Sequence, residues 1–206
     1  ILLKAFVSII IFFHLAISGL MAYGPLATIT SPLHMSTYEG GQEITISGIA
    51  SDSIDGDLPA SAFTWYLELH HGDHVHDGPP EFRNKKSNPY IISQTNELSA
   101  DVFYRIKLVV VNSRGDADTA QVDIKPKKVK LQFRTIPDSL SMSVFSLTTF
   151  KAPLDFETVS NMAFQLSVTQ TQIVGGDTLY FEKWKENQLT ATGFFMLSPN
   201  KDTTIT

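Results

Sequence analysis

The chain contains no cysteine among its 206 residues. This absence excludes a disulfide-stabilised scaffold, a thiolate zinc site, iron–sulfur ligation and a cysteine nucleophile. Basic residues are also few, with 16 Lys and Arg against 21 Asp and Glu and a net charge of −5. A nucleic-acid-binding protein needs a basic surface to displace counterions from phosphates, so no nucleic-acid partner is expected.

A long apolar run occurs only at the start, where residues 2–23 carry a single charge, Lys4. As a helix this run would span about 33 Å, enough for a hydrocarbon core. Two interpretations stay open: a signal peptide cleaved near 16–18 or 22–24, and an uncleaved membrane anchor. The N-terminal lysine places the remaining chain outside the cytoplasm on either interpretation. Residues 1–24 are therefore expected to be a signal peptide or anchor of a secreted or membrane-anchored, extracytoplasmic protein.

Helical spacing of apolar residues is absent after residue 25, and short alternating runs separated by turn residues replace it. The longest run, 103–112, alternates apolar side chains with Arg105 and Lys107, as expected for a strand with one buried face. About 100 residues of such strands, with Trp65 on a central one, predict an immunoglobulin-like β-sandwich over 25–126. The predicted strands are 27–29, 43–48, 62–70, 103–112, 117–125, 129–133, 140–145, 163–169, 179–184 and 194–197.

A domain boundary is predicted at Pro126-Lys127-Lys128, where the charge balance changes. Residues 25–126 contain 7 basic and 14 acidic side chains, whereas residues 127–206 contain 8 and 7. We therefore expect a second, small β domain over 127–206. Its alternating pattern is still running at Thr206, so we expect a final strand to be cut off.

Four stretches of the first domain resemble a PKD-type module, named for the polycystic kidney disease repeat: 27–32 (ATITSP), 38–42 (YEGGQ), 51–60 (SDSIDGDLPA) and 63–65 (FTW). The subtype is the one that follows glucose/sorbosone-dehydrogenase-like domains in secreted bacterial proteins. It continues with a histidine-rich turn, matched here by 69–76 (LHHGDHVH). The resemblance implies an immunoglobulin-like fold. The dehydrogenase domain that would supply catalysis is not in this sequence, so no activity is carried over.

The second half is similar to the β-rich domains related to PEGA and internalin-type B repeats. The matching stretches are 174–184 (VGGDTLYFEKW) and 202–206 (DTTIT). This resemblance implies a small β domain that follows the PKD-type module.

Four of the six histidines lie within seven residues: His70, His71, His74 and His76. Imidazole is a good ligand for Zn²⁺, Cu²⁺ or Ni²⁺. Adjacent residues of a strand face opposite sides, so a turn at residues 72–73 would bring His74 and His76 together with either His70 or His71. Two alternatives stay open, a solvated loop with histidine–carboxylate hydrogen bonds and a polar contact to a sugar or protein partner.

A second candidate metal site is Asp52, Asp55 and Asp57, whose carboxylates surround a glycine turn and could bind Ca²⁺. The full twelve-residue calcium loop is not present, because its closing glutamate is missing. Aspartate and glycine are also common in plain turns between strands. Trp65 and Trp184 could stack on sugar rings, but their apolar neighbours favour a role in the core.

Catalytic motifs are not found: the sequence has no G-x-S-x-G elbow and no phosphate-binding glycine loop. The leading hypothesis is therefore a non-catalytic exported module for binding, adhesion or assembly at the cell envelope, with a protein or glycan partner. A different hypothesis is a membrane-anchored accessory subunit of a larger envelope complex. The third is a metal-binding protein or metal-dependent enzyme that uses Zn²⁺ or Cu²⁺ at the histidines.

Overall fold

A computed structural model of the chain describes residues 24–78, 81–95, 99–145, 148–186 and 193–206. Within these ranges the protein is all-β, with nineteen strands, a 3₁₀ turn at Ala60–Ala62 and no α-helix. None of the described segments forms a helix of the length and apolar character needed to cross a membrane. The apolar segment 2–23, with its predicted helix, lies outside the described residues.

The first ten strands form two sheets. In the first sheet β3 is central, with β1 along one side and β4 and β8 along the other. The second sheet has the order β2-β10-β9-β5-β6, with β7 also paired to β5. All pairs are antiparallel except β2 with β10. The strands are β1 Leu26–Ser31, β2 Thr37–Tyr38, β3 Glu43–Asp52, β4 Gly56–Asp57, β5 Phe63–His71, β6 His74–Asp77, β7 Phe82–Arg83, β8 Ser87–Ile91, β9 Val102–Val111 and β10 Ala117–Pro126.

The core of this first unit lies between the two sheets and follows the period of two that a strand imposes. On β9 every second side chain, including Ile106 and Leu108, is buried, while Arg105 and Lys107 face outward. Trp65 on the neighbouring strand β5 is fully buried, and its indole Nε1 donates to the Lys85 carbonyl at 2.8 Å. The alternation expected for 103–112 is therefore observed.

The remaining strands form a second unit. Its sheets have the orders β14-β11-β19 and β13-β12-β15-β18, and β16 with β17 makes a separate hairpin. The pairing of β11 with β19 is parallel. The strands are β11 Lys128–Phe133, β12 Ser141–Val144, β13 Thr148–Lys151, β14 Leu154–Val159, β15 Phe164–Ser167, β16 Thr171–Val174, β17 Asp177–Tyr180, β18 Phe194–Leu197 and β19 Thr203–Ile205.

One predicted strand differs from the structure. The prediction placed a strand at 179–184, whereas β17 ends at Tyr180 and Trp184 lies in irregular chain. The chain leaves the hairpin there because Trp184 is buried against Phe181 and Phe195, with ring centroids 5.7 and 5.5 Å away. Like Trp65, Trp184 is almost fully buried, at 1% exposure. The two indoles therefore belong to the core and present no face to a sugar.

Hydrogen bonds join the two units next to the segment that connects β10 and β11. Glu39 accepts from Lys127 Nζ at 2.7 Å, from Ser160 Oγ at 3.1 Å and from Asn161 Nδ2 at 2.5 Å. The Gly40 N–H donates to the Ser160 carbonyl at 2.8 Å. A side chain at Gly40 would place its Cβ only 2.8 Å from the Asn161 carbonyl oxygen, so the two backbones approach as closely as glycine allows.

Candidate metal centre

The β5–β6 hairpin carries the four clustered histidines. Strand β5 ends at His71 and strand β6 begins at His74. The two residues between them, Gly72 and Asp73, form the turn. Gly72 has φ +55°, a left-handed conformation that glycine adopts without steric cost and that two-residue hairpin turns require. The histidine-rich segment is therefore a tight hairpin in which cross-strand neighbours are fixed by register.

That register places three histidines on one face. His71 lies directly opposite His74, and Leu69 lies opposite His76. Because directly paired residues share a face and the side-chain period is two, His71, His74 and His76 all project from the same side. Their ring centroids are 5.0, 4.8 and 6.4 Å apart for the pairs 71–74, 74–76 and 71–76. We call these three side chains the histidine triad.

The nitrogen atoms of the triad could hold a metal ion. One ligand atom from each ring lies within 4.8 Å of the other two. Zn–N bonds of about 2.0–2.1 Å in a tetrahedral site bring ligand nitrogens to about 3.4 Å from one another, so binding requires the nitrogens to approach by up to about 1.4 Å. His74 and His76 are exposed and His71 is partly buried. The two exposed rings have room to rotate toward a shared ion.

Asp73 contacts the triad from the turn. Its Oδ1 lies 3.3 Å from His74 Nδ1, and the hydrogen bond from His74 lowers the pKa of Asp73 below its usual range. Metal-binding histidines commonly place their second ring nitrogen against a carboxylate, which fixes the tautomer. With Nδ1 hydrogen-bonded to Asp73, the Nε2 atom of His74 remains available as a ligand. A histidine–carboxylate hydrogen bond is one of the alternatives that the sequence leaves open, and Asp73 is the carboxylate that forms it with His74.

His70 is outside the triad because it projects from the opposite face of β5. Its Nε2 lies 3.1 Å from Glu68 Oε2, and its ring stacks on Phe103 with centroids 4.5 Å apart. Burial would raise the pKa of Glu68, but hydrogen bonds from Lys107 and His70 outweigh it and lower that pKa. His70 thus participates in a polar network on the outer face, and His71 is the residue that joins His74 and His76.

The candidate calcium ligands have structural partners. Asp52 is buried and accepts from the backbone N–H groups of Ile54 and Asp55, at 2.8 and 3.0 Å. It also accepts from Asn112 Nδ2 and from Arg114 Nη2, each at 3.0 Å. Hydrogen bonding, first from Asn112, holds the pKa of Asp52 well below its usual range. Local sequence around Asp52 does not reveal Asn112 and Arg114, because they lie about 60 residues away on the β9–β10 connection.

The other two carboxylates do not converge with Asp52. Asp55 accepts from the N–H and the hydroxyl of Ser113, both at 2.8 Å, and Asp57 is exposed on β4. Among the described residues, the group of three or more metal-binding side chains with ligand atoms close together is the histidine triad. The aspartates tie the β3–β4 turn to the β9–β10 turn.

No protein-family model matches the chain, and no curated protein matches it. A search of solved structures found one described as "Ca2+-stabilized adhesin helps an Antarctic bacterium reach out and bind ice". The two sequences are 11% identical, and the structural alignment has a TM-score of 0.24. The alignment covers 89% of this chain and 50% of the other chain. The present chain spans about half the length of that structure. A TM-score of this size does not establish a shared fold, so the architecture rests on the strand pairing described above.

Proposed function

We propose that this protein binds a transition metal ion, Zn²⁺ or Cu²⁺, through His71, His74 and His76, as a non-catalytic binding module of the cell envelope. The observation that carries the proposal is the convergence of three imidazole nitrogens within 4.8 Å on one face of a tight hairpin. We assign metal binding rather than catalysis to the triad, because two of its histidines are exposed on an open hairpin. Catalytic sites are usually concave and exclude water.

The donor set determines which ions the site prefers. Three neutral imidazoles are borderline ligands that suit zinc and copper, and the chain has no thiolate to compete with them. Calcium takes six to eight oxygen ligands and has little affinity for imidazole nitrogen. Asp52, the buried member of the acidic candidates, already accepts hydrogen bonds from Asn112 and Arg114. The proposal therefore assigns no calcium to this protein.

The wider setting of the proposal is an exported protein. We infer that the first unit is an immunoglobulin-like, PKD-type module and the second a PEGA- or internalin-repeat-like module. Two facing sheets and a buried Trp65 on a central strand support the first inference, because this arrangement is typical of immunoglobulin-like sandwiches. The protein is then secreted or anchored through residues 2–23, with a protein or glycan partner outside the cytoplasm. Mass spectrometry of the mature N-terminus distinguishes secretion from anchoring.

Calorimetric titration with zinc and copper tests metal binding. The wild-type chain should bind close to one ion per triad. The double variant His74→Ala/His76→Ala should lose at least about 100-fold in affinity, because it removes two of three ligands. His70→Gln is the matched control, since it changes a histidine of the same hairpin that faces the other way, and it should retain wild-type affinity. Absence of binding by the wild-type chain, or equal loss in His70→Gln, would refute the proposal.

A further inference from the structure

Strand β6, which carries two of the three histidines, forms the edge of its sheet. The sheet order ends β9-β5-β6, and within the described residues β6 pairs with β5 alone. An edge strand presents unpaired N–H and C=O groups that can pair with another strand. The metal-binding hairpin therefore offers backbone groups as well as imidazoles to an approaching molecule.

The hairpin geometry identifies which backbone groups face outward. In a hairpin closed by two residues, the pair flanking the turn exchanges both backbone hydrogen bonds. His71 and His74 are that pair, so the N–H and C=O of Val75 point away from β5. The Val75 side chain is 48% exposed and lies on the face opposite the triad, because Val75 pairs with His70. The free edge is thus centred on Val75.

The sequence at this edge reads the same in both directions, His74-Val75-His76. If a second copy adds its own β6 antiparallel to the first about a two-fold axis at Val75, then Val75 lies opposite Val75. His74 of each copy then lies opposite His76 of the other, on the same face. Four imidazoles from two chains converge, with His71 of each chain beside them. The hairpin supplies three ligands from one side, and the second copy can supply the missing ligand of a tetrahedral ion.

We propose that zinc or copper joins two copies of this chain edge to edge through β6, each ion sharing ligands from both copies. This inference rests on the proposed metal binding by the triad. Metal is required because β6 has only four residues and the Val75 pair contributes two backbone hydrogen bonds. Those bonds alone do not offset the translational and rotational freedom lost on association. The metal-free chain is then a monomer, and the metal-loaded chain is a symmetric dimer.

Light scattering on the full chain in detergent, with either EDTA or one equivalent of zinc, tests the dimer. The protein mass should be 22.8 kDa in EDTA and should double with zinc. Val75→Pro should remain a monomer with zinc, because proline removes the outward N–H that pairs with the second copy. It should still bind zinc, since no ligand is changed and proline is tolerated on an edge. His74→Ala/His76→Ala should neither bind nor dimerise.

The outcomes separate this inference from the proposed function. A wild-type chain that binds zinc at every concentration as a monomer overturns the dimer and leaves metal binding intact. A mass that doubles in EDTA, or a Val75→Pro variant that still dimerises, also overturns it. A wild-type chain that binds no zinc in the calorimeter overturns both.

Cross-linking gives a second readout, because the chain has no cysteine of its own. Val75→Cys places one thiol at the two-fold axis, on the face away from the triad. A short bismaleimide should join two copies of this variant with zinc and not with EDTA. Ile173→Cys is the matched control, since Ile173 is 74% exposed on β16 in the second unit, and it should not cross-link under either condition. Zinc-independent cross-linking, or equal cross-linking of both variants, contradicts the proposed interface.

Discussion

At the scale of single residues, Asp52 and Asp57 show how position decides the role of a carboxylate. Both belong to the same short acidic segment, but Asp52 ends β3 inside the protein and Asp57 lies exposed on β4. The Asp52 side chain forms an ion pair with Arg114 at 3.0 Å and accepts from Asn112. A buried carboxylate with charged and backbone donors is costly to remove, because each donor then loses its partner.

We expect Asp52→Ala to lower the melting temperature by on the order of 5–10 °C, whereas Asp57→Ala should change it by less than about 2 °C. The two variants remove the same group, so the difference measures the hydrogen bonds of Asp52. Differential scanning calorimetry with and without calcium is the measurement. Equal effects of the two variants, or a melting temperature that rises with calcium in the wild-type chain only, would contradict the structural role given to Asp52.

At the scale of secondary-structure elements, the β5–β6 hairpin holds the triad together. His71 and His74 meet only because Gly72 and Asp73 close the turn in two residues. A longer or shifted turn would change the register, and a shift of one residue would move His74 and His76 to the other face. The proposed metal site therefore depends on the turn as much as on the imidazoles.

Gly72→Ala should destabilise the protein by about 1 kcal/mol, because alanine is strained at φ +55° while no atom lies near enough to clash. Gly72→Asn should cost less than about 0.5 kcal/mol, since asparagine tolerates the left-handed region. Urea unfolding checks both values, and the slope against urea should not change. Zinc affinity should fall in the alanine variant and remain in the asparagine variant. If Gly72→Asn lowers the free energy of unfolding as much as Gly72→Ala does, the backbone conformation of Gly72 is not the cause of the destabilisation.

At the scale of the whole molecule, the Glu39 contacts join the two units. Glu39 lies in the first unit, and its partners Lys127, Ser160 and Asn161 lie beyond β10. Gln94 adds a second bridge, donating from Nε2 to the Asn161 carbonyl at 3.2 Å. Buried apolar residues of both units belong to one continuous group. These contacts predict that the units unfold together.

The tryptophans test this coupling, because Trp65 reports on the first unit and Trp184 on the second. Within each of the Trp65→Phe and Trp184→Phe backgrounds, urea unfolding followed by fluorescence of the remaining tryptophan and by circular dichroism of the whole chain should give coinciding midpoints at neutral pH. Glu39→Gln should separate the midpoints, because it weakens the charged hydrogen bond to Lys127. Glu43→Gln is the matched control, because Glu43 is exposed at the start of β3 and the charge changes in the same way, and it should leave them together. The coupling would be refuted if the unfolding midpoints differ before Glu39 is changed, or if they still coincide in Glu39→Gln.

The coupling should also depend on pH. The hydrogen bond from Lys127 lowers the pKa of Glu39, so the folded state holds the carboxylate ionised where the unfolded chain has begun to bind a proton. The stability that Glu39 contributes is therefore complete above the pKa of this carboxyl in the unfolded chain, near 4.3. It is lost as the pH falls through the lower pKa of Glu39 in the folded state. The two midpoints should separate on acidification below about pH 4. In Glu39→Gln their separation should not change over the same range.

The sequence alone determined the all-β architecture and about half of the nineteen strands, because a period of two in hydrophobicity follows directly from strand geometry. Residues 103–112 illustrate this, since their alternation is the burial observed on β9. The end of β17 was not predictable in the same way. The burial of Trp184 against Phe181 and Phe195 removes the chain from the hairpin, and those contacts depend on the packing of distant strands.

For the candidate metal centre, the sequence supplied the four histidines and the constraint that only three could converge. It left open whether His70 or His71 completes the set, because both adjoin the turn and differ only in the face they occupy. The register of β5 against β6 decided in favour of His71, while Phe103 and Glu68 retain His70 on the outer face. Likewise, Asp52 became a buried structural carboxylate only through Asn112 and Arg114 on a distant turn. Local sequence fixes which side chains alternate, but only the pairing of strands far apart in the chain decides which side chains meet.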